Sequence, residues 1–460
     1  MTKKAGPCSV IRKKNRWSFI FLICSTVSLI VLSAQESFAL PVFARKYHTA
    51  CSTCHIAFPA RNGFGEAFRN NGYRFPDGTD EDMVKEEPIK LGQDAYKDVF
   101  PDAIWPSDIP NMPSLGFLAK SGASMTKNPT TGKYKDATVE SELDVFFSGT
   151  ITKQLSYIGD FAVAPDNTAL GRLQLLWTFK PGLGIAWGDI GFPEQFDLIS
   201  THAGTDLNGY VASLPNPNKG VELRVAGNTG TEGGYSLLAG IGRNSQFGSP
   251  GYGNVEGNIG DTKFIRATCK IGGNGLMSGV GGSYGVQAIG MDNSITFGVD
   301  YVNSGQGANT GSADSFAGLT KTAYSGDVRI NYGPVRAVAQ YARFNEVING
   351  GSGGADASVP ATPYDGLNYG KRNALSLEAD YWVYPWLFAL VRYEHLKDDL
   401  NGKINKVIPG IGALLRPNVK FGIEYVAVTK EAGAFSTDAY NTSAFDQAAN
   451  SISLYTQVGF

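Results

Sequence analysis

Basic charge and long apolar runs are scarce in this chain, and each scarcity excludes a class of protein. The net charge of −2 over 460 residues provides no basic surface, so we expect no nucleic-acid partner. Beyond the N-terminal 40 residues, no stretch offers about 18 uninterrupted apolar residues, which predicts no later transmembrane helix. Glycine (57 residues) and aromatics (12%) are instead plentiful, which favours many short strands and turns.

The N-terminus has the pattern of a secretory signal peptide. Three basic residues precede an apolar run at 17–32, and Ser37 and Ala39 provide small side chains at positions −3 and −1 of a cleavage site. The alternative is a membrane anchor, but the run is short for a span of about 20 residues. We therefore predict that residues 1–39 are removed during export. Two of the 5 cysteines leave with them, and three remain: Cys51, Cys54 and Cys269.

The segment KYHTACSTCH, residues 46–55, contains a C-x-x-C-H motif. Its spacing suits covalent attachment of a c-type haem, because Cys51 and Cys54 can add to the two vinyl groups while His55 reaches the iron. Export supports this interpretation, since such attachment takes place outside the cytoplasm. Two alternatives stay open. One is a disulfide between the two cysteines, and the other is half of a zinc site, which needs a second ligand pair further along the chain.

The residues after the motif, RNGFGEAFRNNGY, predict a short helix that could cradle a haem. Phe64 and Phe68 lie four residues apart and share one helix face. Asn62 is suited to cap the start of the helix, and Gly72 to end it. The same residues would also serve as a small hydrophobic core, and the two interpretations overlap.

The second axial ligand of such a haem is open. Met83 and Met112 are the candidate distal ligands within reach, and methionine–histidine ligation would raise the reduction potential. His48 precedes the first cysteine by only three residues, so the chain would have to wrap around the ring. His202 could fold inward from a long loop, and a five-coordinate iron is a further alternative.

Alternating apolar and polar residues dominate the chain from about residue 113. Residues 139–147, 295–301, 375–383 and 419–425 each place apolar side chains on one face and polar or charged ones on the other. A soluble sandwich would show the same period. Strand lengths of about ten residues, tight turns alternating with long loops, and a C-terminus that ends on Phe460 favour a transmembrane barrel.

The predicted fold class is therefore all-β, a transmembrane β-barrel of about 16 antiparallel strands preceded by a small N-terminal α-helical c-type haem domain. The even count requires residues 276–289 to form a connection and not a strand, and it places both termini on the periplasmic side. We divide the chain into a signal peptide (1–39), a monohaem cytochrome c domain (40–112) and an outer-membrane porin-like barrel (113–460).

Inward positions of the predicted strands lean acidic. Such a lumen could attract dissolved metal cations, but ordinary lumen polarity with ion-pair partners on neighbouring strands is the favoured interpretation. Cys269 is predicted to be a small packed residue in a strand, and His395 a structural one. The inward set is Glu140, Glu142, Asp144, Asp300, Glu378, Asp380 and Glu424, partly offset by Arg392 and Lys420.

The motif and its flanks, PVFARKYHTACSTCH…FPARNGFGEAFRNNGYRF, resemble the N-terminus of fused monohaem cytochrome–porin proteins of bacterial outer membranes, over about 35 residues. The resemblance implies thioether bonds at Cys51 and Cys54 and an iron bond at His55. It also implies an electron-transfer protein, with an Fe(II)-oxidising activity left open and no separate catalytic residue. The barrel shares only the architecture of that family.

The expected partners are outer-membrane lipid, periplasmic c-type cytochromes, and extracellular metal ions or other redox species; a homo-oligomer stays open. The direction of electron flow is not readable from the sequence. The main competing hypothesis is a solute-selective porin whose haem domain is a plug, gate or sensor, with residues 193–219 as a candidate constriction loop. A peroxidase-like or gas-binding haem protein ranks last, because no distal histidine lies close to the motif.

Overall fold

The structure is a computed structural model, and its described residues belong to one compact unit, Leu40–Phe460. Neither the predicted signal peptide nor the terminal Phe460 falls within the described residues. The described ranges are 42–57, 60–76, 89–90, 108–109, 114–127, 132–134, 138–151, 154–164, 167–190, 217–230, 232–244, 260, 262–277, 292–304, 319–348, 368–398, 402–416, 418–432 and 450–459.

The elements before the barrel are short. Helix α1 (Val42–Tyr47) leads to a 3-10 turn (Cys51–Thr53), the strand pair β1 (His55–Ala57) and β2 (Ala60–Arg61), and helix α2 (Gly63–Asn70). A second two-residue pair, β3 (Ile89–Lys90) and β4 (Asp108–Ile109), follows. No helix among the described residues is long and apolar enough to cross a membrane.

The rest of the described chain consists of long strands. They are β5 (Ser114–Thr126), β6 (Thr138–Thr150), β7 (Leu155–Ala164), β8 (Asn167–Lys180), β9 (Leu183–Gly188), β10 (Pro217–Gly227), β11 (Glu232–Asn244), β12 (Thr262–Asn274), β13 (Ser294–Ser304), β14 (Leu319–Tyr332), β15 (Val335–Ile348), β16 (Asn368–Tyr384), β17 (Leu387–Asp398), β18 (Gly402–Arg416), β19 (Val419–Ala432) and β20 (Ser451–Gly459).

These sixteen described strands close into one antiparallel barrel in which each strand pairs with its neighbour in sequence. The last strand closes the barrel on the first, with Ser451 opposite Thr126 and Gly459 opposite Leu118. The predicted count of about 16 is confirmed. Strands β12 and β13 are direct neighbours joined by residues 275–293, and the described parts of that connection, 275–277 and 292–293, are not strand.

Short and long connections are segregated between the two ends of the barrel. The turns at 181–182, 333–334 and 385–386 lie at one end, which we call the short-turn end. The gaps at 305–318 and 349–367 lie at the other, the long-loop end. Three connections between described strands depart from this rule: 275–293 is long yet lies at the short-turn end, and 165–166 and 399–401 are short yet lie at the long-loop end. Both the start of β5 and the end of β20 also lie there, as even parity requires.

The period-two pattern separates an outer from an inner face, as the sequence predicts. On β13, Phe297 and Val299 are exposed outside the barrel, while Thr296 and Asp300 are buried inside it. On β16, Leu377 and Tyr381 point outward in the same way. Exposure of so many apolar side chains to water would be unfavourable. The outer face therefore requires an apolar environment.

Residues 42–57 and 60–76, which we call the inner segment, lie inside the short-turn end of the barrel. Phe43 packs against the inward-facing Ile158 and Leu176 on one side of the barrel. Ile56 packs against the inward-facing Trp382 and Phe388 on another. Because these contacts reach strands β7–β9 and β16–β18, the inner segment crosses the lumen.

Candidate functional site

The C-x-x-C-H motif folds into one compact turn. The Cys54 amide donates to the Cys51 carbonyl (3.2 Å), and the Thr53 amide donates to the Ala50 carbonyl (3.0 Å). His55 follows at once as the first residue of β1, opposite Arg61 of β2. The two thiols and the imidazole therefore leave the backbone within a single turn, although they do not converge on one point.

Asn62 joins this turn to helix α2. Its Oδ1 accepts from the Gly65 amide (2.9 Å), which confirms the predicted N-cap. Its Nδ2 donates to the carbonyls of Ser52 and Thr53, both at 3.0 Å. The backbone amide of Asn62 donates to the Cys54 carbonyl (2.9 Å). One buried side chain thus holds both the helix start and the motif turn, a second role that sequence analysis missed.

Glycine at position 65 allows the helix to lie against the motif. A Cβ built on Gly65 would lie 2.1 Å from the Cys54 carbonyl oxygen, so any larger residue must displace the backbone. The helix ends as predicted, with Gly72 at a φ of 72° and the Tyr73 amide donating to the Phe68 carbonyl (3.0 Å). Local backbone geometry therefore fixes α2 relative to both cysteines.

An aromatic cluster surrounds the motif. Tyr47, Phe64 and Phe68 are buried together and contact Cys54, as expected for two phenylalanines on one helix face. Phe75 lies 4.6 Å from Tyr47, measured between ring centroids. The cluster is the apolar core of the inner segment and shields one side of the motif from water.

The thiols are not disposed to act as thiolates. Burial raises the pKa of the Cys51 thiol to about 11 and that of Cys54 to about 12, and both cysteines are unpaired in the structure. Among the described residues, no group of three His, Cys, Asp or Glu side chains converges as a metal site.

Positive charge is concentrated in the inner segment. Lys46, Arg69 and Arg74 are buried, and Glu66 is the only acid between residues 42 and 76. Glu66 Oε1 accepts from Nη1 of Arg329 on β14 (3.0 Å) and lies 3.6 Å from Arg61. This ion pair ties helix α2 to the barrel wall.

Burial raises the pKa of the Glu66 carboxyl, but the guanidiniums of Arg61, Arg329 and Arg69 outweigh that effect and hold the pKa well below its usual range. The carboxylate is therefore charged at neutral pH. An isolated acid in a basic segment is the sequence signal that could have singled out Glu66, although not its partner on β14.

Three further contacts hold the inner segment. The Ser156 hydroxyl of β7 donates to the Gly72 carbonyl (2.8 Å). Asn70 Nδ2 donates to the Leu276 carbonyl (2.9 Å), and Asn71 Nδ2 to that of Met277 (3.3 Å). The 275–293 connection therefore contacts the C-terminal end of α2.

The candidate distal ligands Met83 and Met112 lie outside the described residues, as does His202. His48 is exposed and adopts a left-handed φ of 48° in the turn before the motif. His395 hydrogen-bonds Asn405 on the adjacent strand (2.7 Å), which agrees with a structural role.

Cys269 does not have the predicted packing role. It is exposed on the outer face of β12, between the outward residues Ala267 and Ile271. The strand assignment was right. The side chain faces outward because the odd-numbered residues of β12 lie on the outer face of the barrel.

Ion pairing dominates the inward charges, which confirms the favoured interpretation of lumen polarity. Arg392 Nη1 donates to Glu378 (3.3 Å), and Arg336 Nη1 donates to Asp380 (2.9 Å). Asp300 is held by Arg266 (2.6 Å). The acids are recognisable from the alternation in the sequence, whereas their partners Arg266 and Arg336 are not, because ion pairs between strands depend on register.

Comparisons with known proteins give the fold alone. No protein-family model and no curated protein matches the sequence. The chain is similar to the anion-selective porin from Comamonas acidovorans, with 10% identity, 76% of this chain and 99% of that chain covered, and a TM-score of 0.50. A loop L8 deletion mutant of OmpT from Vibrio cholerae shows 12% identity, 76% and 99% coverage and a TM-score of 0.47. The protein thus has the closed, sixteen-stranded antiparallel fold of a porin.

Proposed function

We propose that this protein is an outer-membrane cytochrome–porin, in which one covalent haem at the C-x-x-C-H turn moves electrons between an extracellular donor or acceptor and periplasmic redox carriers. The observation that carries the proposal is the position of the motif. It lies in a segment that crosses the lumen at the short-turn end of a porin-like barrel.

The outer face of the barrel supports a membrane location. Exposed aromatic residues form two levels, with Tyr332, Tyr384 and Trp386 at the short-turn end and Tyr301 and Tyr324 nearer the long loops. Apolar side chains occupy the outward positions between these levels. Outer-membrane barrels show this arrangement, an apolar band between two aromatic girdles.

The height of this band fits a bilayer. Tyr324 and Tyr332 lie eight residues apart on β14, which is about 26 Å along the strand. A tilt of about 40° reduces that to a height of about 20 Å, close to the apolar band of such barrels. Short turns face the periplasm in these proteins, so the inner segment would face periplasmic carriers.

The residues of the inner segment are suited to hold a c-type haem. Cys51 and Cys54 are free cysteines on one turn, as thioether formation at two vinyl groups requires, and His55 follows them directly. The aromatic cluster would pack against the macrocycle. The buried Lys46, Arg69 and Arg74 carry the positive charge that would pair with the two haem propionates.

Bound there, a haem would supply one-electron redox chemistry at its iron. The chain would contribute position and dielectric. Asn62 and Gly65 hold the motif turn, the Glu66–Arg329 pair fixes its depth in the lumen, and the aromatic cluster excludes water. Iron(II) or another extracellular metal is the proposed donor or acceptor. Met83 and Met112 stay the candidate distal ligands, beside a five-coordinate iron.

The decisive experiment replaces Cys51 and Cys54 together by alanine. Covalent haem, measured by peroxidase staining of a denaturing gel, should be lost while the barrel still assembles. Cys269→Ala is the matched control and should retain haem. Covalent haem in the double variant would overturn the assignment of the motif.

Electron transfer itself is tested by optical titration of the purified protein with dissolved iron(II). Reduction by iron(II) would support inward electron flow. Reduction by dithionite followed by reoxidation with external ferric acceptors would support the opposite direction. A protein that responds to neither external species would sink the electron-transfer proposal. Association into a homo-oligomer stays a prediction, which the mass of the particle in detergent would decide.

A further inference from the structure

Five basic residues lie on the outer face of the barrel at the long-loop end, between strands β12 and β18. We call Lys263, Arg343, Lys371, Lys397 and Lys403 the outer basic set. Lys263, Lys397 and Lys403 are one residue from the end of their strands, Lys371 is three residues from it and Arg343 five. Lys403 is half-buried and the other four are exposed. All five point away from the lumen, because buried inward residues alternate with the outward positions of these strands.

One row of direct neighbours runs across four strands. Asn373 of β16 lies opposite Arg343 of β15 on one side and Lys397 of β17 on the other. Lys397 in turn lies opposite Lys403 of β18. The Cβ atoms of directly opposite residues are about 5 Å apart, and like charges in such a pair repel each other. The two lysines are therefore stabilised when an anion lies between them.

A second row lies two residues closer to the long loops, about 7 Å along the strands. Lys371 lies opposite Asn345, and Lys263 lies opposite Asn303. Thr322 joins the two halves of the row, since it lies opposite both Asn303 and Asn345. The side chains between the cations are uncharged hydrogen-bonding groups, which can donate to the same anions.

Neither row contains an acidic residue. In the part of the chain that the structure describes, Lys263, Arg343, Lys397 and Lys403 form no ion pair. Inward charges of the same strands behave differently, since Arg266 is held by buried carboxylates. The outer cations are therefore available to a ligand from outside the chain.

Arg343 borders an open groove on the outer face. The Tyr341 hydroxyl donates to Asn373 Oδ1 (2.8 Å), which occupies the acceptor of that amide and leaves its Nδ2 as a donor. The Arg343 guanidinium presents N–H donors in the planar arrangement that suits a phosphate. The groove has a volume of about 610 Å³ and is lined by Tyr324, Ser325, Tyr341, Arg343 and Asn345.

The short-turn end of the same strands has a different outer face. Its outward positions are apolar or aromatic, such as Ile295, Ile330, Val335 and Tyr381, apart from Arg416 at the end of β18. The two leaflets of a bacterial outer membrane differ in the same sense, because its outer leaflet is built from glycolipid with phosphorylated sugar head groups. The charge of the barrel thus complements the leaflet at the long-loop end.

From these observations we propose that the outer basic set binds the phosphate groups of the outer-leaflet glycolipid. Arg343 and Lys403 are three strand spacings apart, about 14 Å, so one disaccharide head group with a phosphate at each end can reach both. Arg343 contacts one phosphate, and Lys397 with Lys403 contacts the other. The acyl chains pack on the apolar outer face. This inference rests on an outer-membrane location and not on a haem.

Native mass spectrometry of the purified protein in detergent tests the site, with a bisphosphorylated disaccharide glycolipid (lipid A) as the probe. Lys397→Gln together with Lys403→Gln should weaken binding by about tenfold or more, because each cation near an anionic lipid adds to the attraction. Lys180→Gln together with Arg416→Gln removes the same charge at the short-turn end and should bind like the wild type. Equal weakening by both pairs would overturn the proposal, since net charge alone would then explain the binding.

A conservative pair separates loss of the site from a fault in folding. Lys397→Arg together with Lys403→Arg keeps the charge and should retain the lipid, and loss of binding there would contradict a charge-based site. The same lipid without its phosphates should bind the wild type about tenfold more weakly or less well still. Undiminished binding would assign the contact to the acyl chains and refute the proposal. Full competition by excess inorganic phosphate would identify a site for a soluble anion instead.

Two further measurements isolate the direct contact. Binding should persist in EDTA, because neither row offers a carboxylate that could bridge to a phosphate through a divalent cation. A requirement for Ca²⁺ would overturn direct binding by the outer basic set. Cys51→Ala together with Cys54→Ala should bind the lipid like the wild type, so failure of the lipid site and failure of the proposed haem function are separate outcomes.

Discussion

The inner segment and the barrel wall are held by different kinds of interaction. The wall is a continuous ladder of backbone hydrogen bonds over sixteen described strands, so no single side chain defines it. The inner segment has little regular structure and depends on a few side chains, chiefly Asn62, Glu66 and Asn71. The wall should therefore tolerate substitution wherever polarity is kept, whereas the inner segment should not.

The contrast extends to charge. Acids and bases in the wall pair with one another across strands, as Arg336 does with Glu378 and Asp380. The inner segment carries one acid among several bases, and that acid binds the wall. This ion pair therefore adds a charged contact to the hydrogen bonds from Ser156, Asn70 and Asn71 that also hold the inner segment, and it should be the most sensitive of these contacts.

The largest effect is expected for Glu66→Gln. It leaves the buried Arg329 without a counter-charge, and breaking such a pair costs about 3–5 kcal/mol. Tryptic cleavage after Arg69 and Arg74, which are buried in the docked segment, should accelerate by about 100-fold or more. Glu142→Gln makes the same change at a half-exposed wall pair and should leave cleavage unchanged. Equal effects of the two variants would refute the proposed coupling.

Acid should loosen the same contact. Because the folded pKa of Glu66 lies below its usual 4.5, docking gains stability that is present above pH 4.5 and is lost as the pH falls below that value. Spin labels at His48→Cys and Thr229→Cys would report the distance between segment and wall from pH 7 to pH 3. We expect a constant distance down to about pH 4.5 and a broadened one below it. In Glu66→Gln the broadening should already be present at pH 7.

A charged residue on the outer face of the wall should lower the stability of the inserted barrel. Val299 is 60% exposed at the middle of β13, and a lysine there should destabilise the inserted barrel by about 2–4 kcal/mol. Gel-shift assays of heat-modifiability in lipid would measure the folded fraction. Asn303→Lys, on the same face near the long-loop end, should cost about 1 kcal/mol or less. Similar losses at both positions would argue against a bilayer around this face.

Asn62→Ala should affect only the inner segment. Loss of the helix cap costs about 1–2 kcal/mol, and the turn at Ser52 and Thr53 loses two hydrogen bonds as well. Cleavage by trypsin after Arg61 should rise, with no change in barrel assembly. Asn62→Asp keeps the acceptor for the Gly65 amide but loses both donors, so an intermediate rate is expected. Wild-type behaviour of the alanine variant would remove Asn62 from its assigned role.

The smallest effect is expected for Cys269→Ala. The side chain is exposed on the outer face, so the change in stability should stay below about 0.5 kcal/mol. Thermal unfolding in detergent would measure it. A larger loss would mean that Cys269 packs against something that covers this face.

Local patterns in the sequence predicted much of the fold. Alternation over 295–301 and 375–383 predicted which side chains face outward, and turn lengths predicted the two ends of the barrel. Asn62 caps the start of helix α2, and Gly72 follows its end in a left-handed conformation, as the sequence predicted. These features depend on neighbours within a few residues, which is why one sequence sufficed for them. The motif at Cys51, Cys54 and His55 is local too, although the haem it predicts is still to be tested.

Contacts between distant residues were beyond the sequence. Glu66 and Arg329 are 263 residues apart, and nothing in either neighbourhood indicates the other. The pairing of Arg266 with Asp300 and Asp327 follows from strand register. A slip of one residue would turn these side chains to the other face of the sheet.

The sequence by itself thus determined which side chains face outward, the barrel class and the motif, because each depends on a pattern of a few consecutive residues. Tertiary structure alone decided that the inner segment crosses the lumen and that inward charges such as Arg266 and Asp300 pair across neighbouring strands. The physical reason is that closure of the barrel sets the register of every strand, and register brings together side chains that the chain itself keeps hundreds of residues apart.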